Sequence, residues 1–466
     1  MKTFDRTEIE KASMLNRHAL YCDRWGVFVF DTPNNYDKEF CLVNEGPRGP
    51  AAPQGFGTHL SYTTRTYTGT SVCQTIQSIN GRINRDGLRW GLIEQVRGTY
   101  AWETYSQKVK NFIEVGASYG VDPYICLGGA NPNYGFGLPS GYLGGMPLDS
   151  DEVLGFSNYC GYVVAQVPAC NKFEIWNEWS IEGFGTVQEQ TDNVGLDHTK
   201  YLHLVKQCYP KIKAARPDAE VIIGTFTEPY WQSQSGSVWF ENVLNSEILD
   251  YCTGFSIHHY NGFLPPEYWH DQLYHVIQKI KAKAPRHKVY LSETGWFNGT
   301  DTASITEAES AARYSRYPFL LRCLDLDGSM FYDLVNDGTT VAKEENFGFY
   351  TWNLGAPKLQ AVTVGQALAH VNVSTAARHY SDAGLMRRVV VLDTPTGQRA
   401  ACWSVNNSGT LKLLVKANAG GTLSIQTMGG STSTQPLVVG DNIISVTLAD
   451  TAKVVFANTP VTISTT

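Results

Sequence analysis

Residues 173–179 read Phe173-Glu174-Ile175-Trp176-Asn177-Glu178-Trp179, and residues 289–296 read Val289-Tyr290-Leu291-Ser292-Glu293-Thr294-Gly295-Trp296. Each is a short apolar, strand-like run that closes on a glutamate. Outward from these two runs the same texture recurs, beginning at about residue 55. Strands are expected at Gly55–Ser61, Arg82–Trp90, Pro123–Gly128, Phe173–Glu178, Glu220–Phe226, Thr253–Tyr260, Lys288–Glu293 and Ser329–Asp337. Helical patterns fill the gaps at Thr70–Ile79, Trp102–Tyr119, Ser150–Gln166, Thr199–Ala215, Val238–Leu249, Tyr268–Ala284, Glu307–Leu326 and Lys358–His370. Within Tyr201–Ala215, Leu202, Leu204, Val205, Cys208, Ile212 and Ala215 recur at helical spacing with lysines between them. Strand followed by helix, eight times over, predicts the α/β class and a (β/α)8 TIM barrel. The structural alternative, a doubly wound open sheet, carries fewer strands and a Gly-rich phosphate turn near its start. No such turn is present.

After about Ser374 the helical spacing stops. Strand-like runs at Arg387–Leu392, Ala400–Asn406, Leu411–Val415, Thr422–Gln426, Ile443–Leu448 and Ala452–Phe456 are separated by Thr, Ser, Gly and Asn turns. That spacing predicts a C-terminal antiparallel β-sandwich. A further strand candidate, Trp25-Gly26-Val27-Phe28-Val29-Phe30, has no helix after it and is expected to pair with the sandwich. The expected division is an N-terminal extension over residues 1–50, the barrel over 51–373 and the accessory sandwich over 374–466. A chain of 466 residues exceeds what one hydrophobic core serves, in keeping with more than one unit.

The composition, 42% hydrophobic and 17% charged, is that of a globular protein. A formal net charge of -7 without a Lys/Arg run argues against a nucleic-acid surface. The N-terminus lacks the apolar core of an export signal, and no apolar stretch of about 20 residues follows, so no membrane span is expected. Ten cysteines without a CxxC pair are expected to be buried free thiols, Cys126, Cys252 and Cys323 among them. Oligomeric state and export route are left open.

In a barrel of this kind the chemistry sits at the C-terminal ends of the strands, where Glu178 and Glu293 fall. Cleaving a glycosidic bond needs one carboxylic acid to protonate the departing oxygen and a second carboxylate across the sugar. Two strand-ending glutamates supply such a pair.

Trp-Asn-Glu at 176–178 and Glu-Thr-Gly-Trp at 293–296 together resemble the clan A retaining glycoside hydrolases. Within that clan the chain is most similar to glycoside hydrolase family 39, including its bacterial endoglycosidases acting on exopolysaccharide. Three further stretches carry the resemblance, which covers roughly residues 55 to 371. Asn84-Arg85-Asp86-Gly87-Leu88-Arg89-Trp90, with Glu94, Arg97-Gly98 and Tyr100, resembles the family's second strand and the turn after it. Gly129-Ala130-Asn131-Pro132 resembles its third-strand loop, and His258-His259-Tyr260 its sixth-strand His-x-Tyr. The resemblance implies a retaining glycosidase that needs no cofactor, with Glu178 as acid/base and Glu293 as nucleophile. It also implies that Asn177 binds the sugar 2-hydroxyl, that Arg85 holds the nucleophile ionised and that Tyr260 orients it. Glu178 would need an apolar wall to stay protonated, and Trp176 or Trp179 could form one. Trp179 departs from the Pro that many clan members carry after the acid/base, which suggests a different subsite there.

Several signals have a plainer reading beside the functional one. His258 and His259 lack the companions of a metal site, so hydrogen bonding or packing is expected of them. His59, Trp296 and Asp333 (with Tyr332, Asn336 and Asp337) are subsite candidates that could equally be rim packing. The Gly-rich stretch Asn131–Met146 is long for a βα connection and could overhang the site or run as a surface excursion. Two rival functions stay open: an exo-acting β-glycosidase of the xylosidase or iduronidase type, and a catalytically silent glycan-binding or virion surface protein. A polysaccharide substrate would point to an extracellular, periplasmic or virion setting.

Overall fold

The computed structural model describes residues 40–62, 64–134, 145–179, 197–227, 234–260, 262, 264–299, 304–382, 387–405 and 409–465. After β1 (Phe40–Glu45), eight parallel strands close into a barrel. They are β2 (Gln54–Gly57), β3 (Ile83–Arg89), β4 (Asp122–Gly128), β5 (Lys172–Ile175), β6 (Glu220–Thr227), β7 (Gly254–His259), β8 (Lys288–Thr294) and β9 (Gly328–Phe331). Helices alternate with them in sequence, among them Ser150–Gln166 and His198–Ala215, whose Tyr201, Leu204, Val205, Cys208 and Ile212 form one buried stripe. The start of Ser150–Gln166 follows from a capping box. Asp149 accepts from the backbone N–H of Glu152, and the Glu152 side chain accepts from that of Asp149.

Three of the expected helices are broken, Val238–Leu249 among them, since its α-helix ends at Leu244 and a 3-10 turn follows at Glu247–Tyr251. Trp102–Tyr119 divides at Ser106, and Glu307–Leu326 divides into Glu307–Tyr314 and Tyr317–Arg322. The break in Glu307–Leu326 follows from Pro318, which has no N–H and therefore sits in the first turn of the new helix.

Strand pleating layers the barrel interior. Ile83, Tyr124, Ile222, Tyr290 and Met330 form a buried apolar floor. Two residues further along their strands come Arg85, Cys126 and Ser292, joined by Glu174 of β5 and Ser256 of β7. A bulge then re-aims β8. Ile257 pairs with Leu291 and His258 with Glu293, so Ser292 is an extra residue and Glu293 turns into the barrel directly after it. On β5 the ladder stops at Ile175, three residues short of the expected end. Trp176 and Glu178 have φ values of 67° and 50°, and such left-handed backbone in bulky residues costs about 1–3 kcal/mol each.

The C-terminal strands are β10 (Ala376–Asp382), β11 (Arg387–Thr394), β12 (Gly397–Ser404), β13 (Thr410–Ala417), β14 (Gly421–Thr427), β15 (Thr432–Leu437), β16 (Gly440–Thr447), β17 (Lys453–Ala457) and β18 (Val461–Thr465). They form an antiparallel sandwich of a seven-stranded sheet, β1-β10-β11-β12-β17-β14-β15, and a three-stranded sheet, β16-β13-β18. Val389, Val391 and Cys402 of the first sheet share a core with Leu413, Val415 and Val446 of the second. The N-terminal β1 pairs antiparallel with β10, whereas the expected strand Trp25–Phe30 and most of Asn131–Met146 lie outside the described residues.

Barrel and sandwich share a buried junction. Arg316 is paired with Glu267 and with Asp450 of the sandwich, and the Trp403 indole N–H donates to Glu267 at 2.7 Å. Eight cysteines of the described residues are buried free thiols. Among the described residues no helix is long and apolar enough to cross a membrane.

Candidate active site

The barrel mouth brings Glu178 and Glu293 together. An oxygen of each and a ring nitrogen of His258 all lie within 4.8 Å of one another. Each glutamate side chain keeps 12% of its surface exposed. His258 Nδ1 is hydrogen-bonded to Glu178 Oε1 at 2.8 Å and stands 3.4 Å from Glu293 Oε2. The Tyr260 hydroxyl donates to Glu293 Oε2 at 2.8 Å.

Arg85, aimed inward from β3, binds three partners with three different nitrogens. Nη1 donates to Glu293 Oε1 at 2.6 Å, Nη2 to Asn177 Oδ1 at 2.6 Å and Nε to Glu174 Oε2 at 2.8 Å. Because Asn177 Oδ1 faces the guanidinium, its amide N–H2 is left to donate elsewhere, and Asn177 lines the cavity.

The two carboxyls stand in different environments. Burial pushes Glu178 up to about 7; Arg85 pulls against this and Glu174 adds to it. Glu293 receives two donors, Arg85 on Oε1 and Tyr260 on Oε2. Burial also lowers His258 to about 4, so the imidazole is neutral at neutral pH. A carboxyl whose burial favours its protonated form, beside a second one held by Arg85 and Tyr260, is an arrangement acid-assisted displacement can use.

A solvent-open cavity of about 630 Å³ adjoins Glu293, lined among others by His59, Tyr62, Arg89, Asn177 and Tyr332. Glu178 is not among its lining residues, so this space runs along the β2–β4 wall on the Glu293 side of the pair. His59 Nδ1 is 2.7 Å from Asp337 Oδ1 and 3.9 Å from Asp333 Oδ2, and Asp337 is also paired with Arg65. Asp333 is buried, and burial with the neighbouring Asp337 raises it well above the usual carboxylate range.

Four residues expected at subsites do not line the cavity, the buried Asp333 among them. Trp179 is fully buried, with its ring 5.8 Å from Trp176 and 5.1 Å from Tyr201 of the helix His198–Ala215. Trp296 is stacked on Trp269 at 4.1 Å and donates its N–H to the Leu264 carbonyl. Asn131 is buried, donating to the Glu94 carbonyl at 2.8 Å and accepting from the Asn133 N–H. Trp179 and Trp296 belong to the core and Asn131 fixes a loop, so none has a face left for a sugar. The expected wall for Glu178 needs the same correction. Trp176 packs on Phe156 and Trp179 on Tyr201, both helix residues, so the indoles are engaged behind the strand.

Sequence reading passed over Glu174, Tyr62 and Arg89. An acidic residue at an inward position of an apolar strand was the available signal for Glu174; Tyr62 and Arg89 carry none.

Among the described residues two clusters hold the right atoms for a cation: Glu178, His258 and Glu293, and His59, Asp333 and Asp337. In each a guanidinium already sits on a carboxylate, Arg85 on Glu293 and Arg65 on Asp337. A divalent ion would have to work against that charge.

No protein-family model matches the chain, and no curated protein matches it in sequence. Solved structures do match its fold. A family 39 glycoside hydrolase from the gut symbiont Bacteroides cellulosilyticus WH2 superposes with a TM-score of 0.67 at 20% identity, covering 88% of this chain and 81% of that one. A family 30 endoxylanase from Clostridium papyrosolvens C71 gives 0.59 at 10% identity, covering 90% and 99%. A family 44 xyloglucanase from Paenibacillus polymyxa gives 0.56 at 11% identity, covering 90% and 99%. The fold, a (β/α)8 barrel with a C-terminal β-sandwich, is thus one that glycoside hydrolases use. At these identities the likeness is one of fold.

Proposed function

We propose that the chain is a retaining glycoside hydrolase acting by double displacement, with Glu293 as nucleophile and Glu178 as acid/base. The observation that carries this is the approach of two unlike carboxyls to within 4.8 Å in a barrel mouth. Oxygens this close leave little room for the water that inverting enzymes hold between their two carboxyl groups, and so favour the closer pairing of retaining enzymes.

In the first step Glu293 attacks the anomeric carbon while the Glu178 proton passes to the departing glycosidic oxygen. The glycosyl–oxygen bond breaks and a glycosyl ester of Glu293 forms. In the second step Glu178, now ionised, takes a proton from water, whose oxygen displaces Glu293. Asn177 would donate its amide N–H to the sugar 2-hydroxyl, a contact that strengthens as the ring flattens toward the transition state. Arg85 and Tyr260 aim Glu293.

The substrate we propose is a polysaccharide, a bacterial exopolysaccharide or cell-surface glycan, cut internally. The motif resemblance supports the glycan class, and an open cavity beside Glu293 leaves room for a chain that continues past the cleaved bond. Reducing-end release from a panel of bacterial exopolysaccharides and aryl glycosides, with product sizing, tests both parts. Mixed oligosaccharides are expected. Monosaccharide alone would mean exo action, and binding without cleavage across the panel would count against the enzyme itself.

A further inference from the structure

Glu174 is a carboxylate with no exposed surface, in the barrel interior on the strand that leads to Glu178. A charge held there needs compensation, since burial alone would neutralise it. Its partners include Arg85 Nε, which donates to Oε2 at 2.8 Å, and the Ser256 hydroxyl, which donates to Oε1 at 2.7 Å. Ser256 is in turn hydrogen-bonded to Ser292, the bulge residue that directs Glu293 inward.

We propose that Glu174 is a positioning residue that acts through Arg85, setting the proton affinity of Glu178 and the aim of Glu293 and Asn177. This deepens, and rests on, the glycosidase reading above. The geometric half follows from the guanidinium being planar with its donors in a fixed fork. Gripping Nε fixes the plane, and with it the directions in which Nη1 meets Glu293 and Nη2 meets Asn177.

The electrostatic half follows from a count of charges. Arg85 stands between Glu174 and Glu293, so its single positive charge is shared by two carboxylates. With Glu174 neutral, Arg85 would offset Glu293 alone and have more to offer Glu178, whose ionised form would become easier to reach. Among the described residues, the other titratable groups around Glu178 are Glu293 of β8, His258 of β7, Tyr260 just after it, Cys126 of β4 and the pair Lys343 and Glu344 of the turn Lys343–Glu345. All of them are unchanged by a substitution at 174. Burial is the main cause of the raised Glu178, and the direction of the Glu174 contribution, upward, agrees with the charge count.

The test uses the full chain labelled with glutamate carrying 13C at the side-chain carboxyl, titrated by NMR, with the Glu178 resonance identified by its loss in Glu178→Gln. Glu174→Gln keeps the size and one acceptor oxygen but removes the charge. The midpoint of Glu178 is expected to fall by about one pH unit, with the alkaline limb of kcat/KM moving down in step. An unchanged midpoint in a Glu174→Gln protein with wild-type circular dichroism would overturn the proposal. If that variant does not fold, Glu174→Asp decides, because it keeps the charge but draws it back from Arg85 Nε. The Glu178 midpoint should then stay near that of the wild type while kcat drops about tenfold or more; wild-type kcat would overturn the proposal. The titration needs no substrate, so a wild-type protein that cleaves no glycan would sink the glycosidase reading while the coupling of Glu174 to Glu178 is still read directly.

Discussion

With Glu178 as the acid of the proposed mechanism, the wild-type protein should show an alkaline limb near pH 7, and replacing Glu178 by Gln should erase it. Burial holds this carboxyl at about 7 instead of the usual 4.5, a difference worth about 3 kcal/mol against ionisation. At pH 7 roughly half of the molecules then carry the acid proton, compared with about 0.3% for an ordinary glutamate, on the order of a hundredfold more competent enzyme. The sign is fixed by the mechanism: the acid must be protonated, so kcat/KM falls as pH rises through about 7, roughly tenfold per unit beyond it. The assay is initial rate against pH on two substrates, one with a natural sugar leaving group and one with an activated aryl group. On the natural leaving group, Glu178→Gln should lose about 10²–10⁴ in turnover and show no limb near 7; on the activated one the loss in kcat/KM should be far smaller. A variant with the wild-type limb, or equal losses on both substrates, would refute the assignment of the acid.

Tyr260→Phe removes the donor on Glu293 Oε2 and should lower kcat/KM by about 10–100-fold with thermal stability nearly unchanged; a loss under about threefold would deny Tyr260 a role in aiming the nucleophile. Glu267→Ala leaves Arg316 with Asp450 alone and the Trp403 N–H without its acceptor. It should cost about 3–5 kcal/mol by urea unfolding, and a cost below about 1 kcal/mol would mean the junction does not couple barrel and sandwich. Treatment with EDTA followed by desalting should leave the rate on any cleaved glycan unchanged, because Arg85 already sits on Glu293; loss of activity restored by a divalent ion would favour a metal between Glu178, His258 and Glu293.

What could be read from the sequence was what leaves a periodic or chemical mark. The helix Ser150–Gln166 was legible to the residue as a helical pattern. The eight barrel strands were legible as short apolar runs, and six of the sandwich strands as alternation. The strands β1, β10, β15 and β18 were missed. The run Thr-Ser-Thr-Gln-Pro-Leu of β15 is almost wholly exposed at a sheet edge and has no apolar face to betray it. The end of β5 was misplaced because nothing about Trp176 or Glu178 as residue types signals left-handed backbone. The bulge at Ser292 is silent for the same reason, although it is what turns Glu293 inward.

The site was legible where chemistry demands a residue type and opaque where burial decides. Glu178, Glu293, Asn177, Arg85, His258 and Tyr260 meet at the barrel mouth. Trp179 and Trp296 looked equally suited to stack on a sugar, yet both rings are used up by Tyr201 and Trp269. Which aromatics face a cavity depends on three-dimensional packing that composition does not reveal.

Mass-spectrometric mapping of the protein after inactivation by a 2-deoxy-2-fluoro glycosyl fluoride bears most directly on the paired carboxylates. One glycosyl ester per chain, on the peptide carrying Glu293 and abolished in Glu293→Gln, is the outcome expected of a double displacement. A label on Glu178 or any other residue, with Glu293 unmodified in the inactivated enzyme, would contradict it.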